Sequence, residues 1–220
     1  MPNPAQKNNC PLKNNCPSAK SGTSDVPVAD NGDLMVHLPF FSPKPDRVGL
    51  LLADIAEASR NPVAYRELGV ADTFEGRFER LALVTTLVLR QLGTRPAPAD
   101  SVSQELVDAV MAHLDDGLRR SGVGDLSVGK KMKMLAQSFY GRAKAYTDAL
   151  DEGSREGLCD ALSRNLYSSV VPPSDVSPRL IAEIGSLETA LAAASLDEIL
   201  SNKVLAKASK DALTGQGAAP

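Results

Sequence analysis

Residues 119–146 read R-R-S-G-V-G-D-L-S-V-G-K-K-M-K-M-L-A-Q-S-F-Y-G-R-A-K-A-Y. Apolar residues recur at Leu126 or Val128, Met132, Leu135, Phe139, Ala143, Tyr146 and Leu150. Steps of three and four put them on one face of a helix about six turns long. Gly122 and Gly124 can take positive φ without steric cost, so they are expected to end one helix and turn the chain. Asp125 is then expected to cap the next helix through a backbone N–H bond. Lys130, Lys133 and Lys144 fall on the polar side. Lys130, Lys131 and Lys133 fall in the expected first turns, where the helix dipole favours anions. They read either as a solvated face or as a face turned toward something negative. Gly129 reads as a point of close packing.

The same stretch contains G-x-x-x-x-G-K, from Gly124 to Lys130, the start of a phosphate-binding loop. Three requirements fail. Lys131 stands where Ser or Thr would hold magnesium, a polar helix end precedes the glycines instead of a strand, and no apolar strand ending in Asp follows. A nucleotide site is excluded on those grounds.

The pattern of residues 119–146 extends along the chain. The 220 residues suit one main domain with tails. Aromatics are few and Trp is absent, so Leu, Val, Ile, Met and Ala must build the core. A net charge of −3 argues against general nucleic-acid binding. Yet from Arg119 to Lys144 seven bases stand against Asp125 alone, a local basic patch able to steer an acidic partner. Cys10, Cys16 and Cys159 are odd in number and form no disulfide framework, which fits a reducing compartment. No stretch reaches the roughly 18–20 apolar residues of a membrane span. No secretory or transit signal is read in the first thirty residues.

Residues 1–34 read as a disordered tail with Lys-Asn-Asn-Cys-Pro repeated at 7–11 and 13–17. Phe40 and Phe41 sit in a proline-broken arm expected to tuck onto the domain. Helices are then expected from Asp46, from Asn61-Pro62, from Asp72-Thr-Phe-Glu75, and from Ser101 or Ser103. Further helices follow Asp125, Ser154, Ser177-Pro178 and Ser195. The helix carrying Phe74, Phe78, Leu81, Val88 and Leu92 is apolar over so much of its circumference that it should be central. The expectation is an all-α fold: a single compact bundle of about seven helices over 35–205, with disordered tails at 1–34 and 206–220.

No catalytic constellation is legible. The two histidines, His37 and His113, share no face with a second metal ligand or nucleophile. Acidic pairs such as Asp115-Asp116 are adjacent on a helix and cannot face each other as an acid–base couple. No cofactor, metal site or small-molecule substrate is expected; His113 as a haem ligand is a variant.

Several motifs together resemble a family. Leu118 to Lys133, then Phe139-Tyr140-Gly141-Arg142 and Ala145-Tyr146, are similar to the signature of the ubiquinol–cytochrome c chaperones. Residues 72–79 upstream and 161–167 downstream agree, so the resemblance spans about Ala64 to Tyr167. Arg120 departs from it, standing where an acid follows the first arginine. The resemblance implies a non-enzymatic assembly factor for respiratory complex III. It would bind newly made cytochrome b or another complex III subunit, with ribosome contact in some members. It also implies a bacterial-type protein on the cytoplasmic side of the inner membrane, in peripheral contact with it. The positions matching the central motif are Arg119, Gly122, Asp125, Lys130, Lys131, Lys133, Phe139, Tyr140 and Arg142, taken as candidate partner-binding residues. The alternative reading is a ribosome- or RNA-binding helical module using the basic helix at 130–144; DNA is not an expected partner. Against the alternative stands the lack of aromatics interleaved with lysines on one exposed face.

Overall fold

The computed structural model describes residues 46–168, 170–201 and 203–215, with the side chain of Asp125 outside the description. Among them are nine α-helices and no strand. These are α1 (Arg47–Ser59), α2 (Pro62–Arg66), α3 (Phe74–Gly93), α4 (Ala99–Arg120) and α5 (Asp125–Asp151). They continue with α6 (Arg155–Asn165), a 3-10 turn at Pro173–Asp175, α7 (Pro178–Ala193), α8 (Leu196–Ser201) and α9 (Val204–Thr214). The all-α expectation holds; each of the eight expected starts has its helix, and α9 is added beyond them. The expected tail at 1–34, the Cys10 and Cys16 pair, His37 and the Phe40-Phe41 arm lie outside the described residues.

Local chemistry sets the helix starts. The Asp46 carboxylate accepts from the Gly49 N–H, and Asn61 accepts from the Val63 N–H with Pro62 at the first helical position. Thr73 caps α3 by accepting from the Gly76 N–H, while Asp72 turns away to pair with Arg77. Ser154 does the same for α6 through the Gly157 N–H. Ser195 and Glu198 exchange side-chain and backbone bonds, a reciprocal capping box at α8. One start moves: α4 opens at Ala99, and the Ser101 and Ser103 hydroxyls donate back to the Pro98 and Ala99 carbonyls from inside its first turns.

Helix α3 is the central element, packing against α1, α4, α5 and α7. From Phe78 to Val88 every side chain is buried, polar ones included. Arg80 is among them, fully enclosed. Its guanidinium donates to both Glu183 carboxylate oxygens on α7, at 3.0 and 2.7 Å. The Ser209 hydroxyl of α9 donates to the same carboxylate, and the Asn61 amide donates to Ser209. A charge-assisted fork thus ties α3, α7, α9 and the start of α2 together inside the bundle.

The disordered tail expected from residue 206 is corrected by α9. Leu205, Ser209 and Leu213 recur every four residues and are buried against α1 and α7. The Asp54 carboxylate accepts from the Leu205 and Ala206 N–H groups, both at 2.9 Å, satisfying the first turn of α9 from α1. The short stripe, set among Lys, Ala and Ser, carries too little apolar signal to declare the helix without the surface it meets.

Candidate functional site

The junction of α4 and α5 is built as a tight turn. Gly122 takes φ +83°, the left-handed region, and its N–H donates to the Arg119 carbonyl. Gly124 has φ −63° and is the residue before the helix, so only one of the two glycines uses its conformational freedom. Asp125 is accordingly the first residue of α5 rather than its cap. This moves each lysine one residue further into the helix. Lys130 lies more than one turn inside α5 and Lys133 more than two, where the dipole has faded. The dipole argument for a binding role therefore falls away. Gly129 is exposed with open space around it, not a packing point.

A different observation replaces the dipole. Lys130, Lys131 and Lys133 are exposed, and among the described residues no carboxylate lies within ion-pair distance of any of them. Neighbouring bases are engaged: Arg119 with Asp115, Arg120 with Asp116, Lys144 with Asp148, each one helical turn away.

Lys131 stands on the edge of a groove of about 540 Å³ between the start of α3, the end of α4 and the first half of α5. Phe78 and Leu118 form its buried floor. Phe74, Val123, Met134 and Leu135 carry the apolar surface up to the mouth, where Phe74 is 38% and Met134 58% exposed. Large apolar side chains left open at a concave mouth are the usual mark of a surface that takes a partner. Glu75 and Lys131 give the rim one charge of each sign.

Arg142 closes the far end. Its Nε lies 2.8 Å from both Glu79 carboxylate oxygens and its guanidinium carbon 5.8 Å from the Phe78 ring centre. The hydrogen bond to Glu79 raises the Arg142 pKa further. The clamp joins α5 to α3 and fixes the groove width, which makes Arg142 a residue that shapes the site.

The nine candidate positions thus divide. Lys130, Lys131, Lys133 and Tyr140 present surface to solvent, and Arg119 and Gly122 form the turn beside the groove. Phe139 is 1% exposed and belongs to the core, so it cannot touch a partner directly. It supports Tyr140, whose ring meets it edge-on at 5.6 Å. Tyr140 is 58% exposed on the lysine-bearing face, which corrects the expectation that no aromatic is interleaved there. Phe74, Val123 and Met134 were not legible as site residues. Phe74 reads as one more member of an apolar stripe; the signal lies in its place as the first residue of α3, at the end of the core.

His113 is half-buried, and burial followed by the charge of Arg60 lowers its pKa from the ordinary 6.5. Both effects favour the neutral imidazole. Among the described residues no three His, Cys, Asp or Glu side chains gather as metal ligands, and no helix is long and apolar enough to cross a membrane.

A family model described as ubiquinol-cytochrome C chaperone matches residues 66–207. The match runs beyond the motifs that carry the sequence resemblance and reaches into α9. A crystal structure of the Cbp3 homolog from Brucella abortus is similar to this chain, with 32% identity and a TM-score of 0.62. The similarity covers 70% of this chain and 84% of that one. No curated protein sequence matches.

Proposed function

The chain belongs to the ubiquinol-cytochrome C chaperone family, and from that premise we propose that it is a non-enzymatic assembly chaperone for ubiquinol–cytochrome c reductase, respiratory complex III. The client is newly made cytochrome b, held at the cytoplasmic face of the inner membrane. The observation that carries this reading is the open apolar groove with exposed Lys131 on its edge, a lysine with no carboxylate in ion-pair distance among the described residues. A chaperone must hold apolar surface that its client has not yet buried, and release it. A shallow groove with a solvated, charged rim suits that task better than an enclosed pocket, because little must be ordered on binding. Lys131 at the groove edge offers an acidic client segment a long-range attraction without demanding one geometry.

The test is complex III content in a deletion strain complemented with Phe74→Glu. Glutamate is favoured at a helix start by the dipole, so α3 should keep its first turn while the groove mouth gains a charge. The expected outcome is wild-type levels of folded chaperone with reduced complex III. Full complex III with Phe74→Glu would remove the groove from the reading.

A further inference from the structure

We propose that the solvent face of α5 lies on an anionic lipid surface. At about 100° per residue Leu126, Lys130, Lys133, Tyr140 and Lys144 lie within about 80° of one another around the helix, with Met134 at the edge of that face toward the groove. Leu126 is fully exposed, Met134 and Tyr140 are more than half exposed, and all three lysines are exposed. The opposite face packs against α3, α4 and α6 through Val128, Phe139, Tyr146 and Ala149. From Leu126 to Lys144 the face extends about 27 Å at the helical rise.

The charge complement is specific. Lys130 and Lys133 have no ion-pair partner among the described residues, and Asp148, paired with Lys144, is the acid standing at the far end of the face. Basic residues alternating with single apolar side chains match a headgroup layer over a hydrocarbon edge. Lysine stems can lie along apolar surface with their ammonium groups at phosphates, while Leu126 and Met134 enter the boundary and Tyr140 sits at the headgroup level. Among the described residues no helix is long and apolar enough to cross a membrane, so the proposal is for contact at the surface. The inference deepens the chaperone reading, since it places the groove, one edge of which is α5 itself, beside the membrane that holds the client. It stands or falls separately from that reading.

The experiment is flotation of the full chain with vesicles of phosphatidylcholine alone or of equimolar phosphatidylcholine and phosphatidylglycerol. Binding to the anionic vesicles only, weakened by salt, is expected. Lys130→Gln with Lys133→Gln should cost about fivefold per lysine, and Leu126→Ser, at a side chain that packs against nothing, should weaken binding further. Circular dichroism confirms the helix in each variant. Equal binding to both vesicle types, no flotation, or unchanged binding by the double lysine variant would overturn the proposal. So would salt-sensitive binding to single-stranded RNA with no vesicle binding, which would assign the same face to nucleic acid. Loss of vesicle binding with intact dependence of complex III on the protein would leave the chaperone reading in place. Vesicle binding in a protein whose deletion leaves complex III unchanged would do the reverse.

Discussion

Replacing Arg142 by leucine tests whether the site is shaped by its clamp. Glu79 is 8% exposed and Arg142 26%, and the guanidinium meets both carboxylate oxygens. Removing one partner of a fully buried pair costs about 3–5 kcal/mol, and of an exposed pair about 0–1 kcal/mol. With Glu79 enclosed and Arg142 a quarter open to solvent, the expected cost is about 2 kcal/mol. Most of it comes from the stranded carboxylate. Arg142→Leu combined with Glu79→Gln should therefore be milder than Arg142→Leu alone. Arg142→Lys should recover less than half of the loss, because a point charge cannot reproduce the fork on both oxygens. Urea unfolding followed by circular dichroism gives each value, provided the denaturant slope is unchanged. A loss under about 0.5 kcal/mol for Arg142→Leu, or a double variant no better than the single, would refute the clamp.

Two further perturbations reach the frame behind the site. Glu183→Leu leaves the Arg80 charge enclosed and should cost about 3–5 kcal/mol, whereas Arg80→Met with Glu183→Leu should regain much of it; urea unfolding of the two variants decides. Asp54→Ala removes the acceptor for two N–H groups of α9 and should cost about 1–2 kcal/mol, with faster hydrogen exchange confined to α9. Burial, ahead of its hydrogen bonds to α9, raises the Asp54 pKa above the ordinary 3.8. The folded state then holds this proton more readily than the unfolded chain, so the Asp54 contribution is largest below 3.8 and declines as pH rises through the folded value. The deficit of Asp54→Ala should accordingly shrink over that rise, measured by thermal unfolding across acidic pH.

The bundle was legible where apolar residues recur over long stretches, as in α3 and α5, and where caps mark a start, as at Asn61-Pro62 and Ser195. Helix α9 was not, because Leu205 and Leu213 gain meaning only from the α1 and α7 surfaces and from the Asp54 cap. The site divides in the same way. Lys130, Lys133 and Lys144 are exposed because the apolar period of α5 turns them outward, which the sequence states directly; the exposed ring of Tyr140 follows from the same period but escapes notice beside buried Phe139. Phe139 was read as a contact because it sits within a family motif, but its place on the buried stripe makes it core. The groove joins Phe74, Leu118 and Met134 from three helices, and no local pattern reports that adjacency.

The central claim is tested most directly by co-purification of the tagged full chain from gently solubilised membranes. Cytochrome b, detected by its haem spectrum and by antibody, is expected to be retained by the wild-type protein and diminished with Phe74→Glu. Equal cytochrome b in the wild-type, Phe74→Glu and untagged samples would contradict the assignment of this groove to the complex III client.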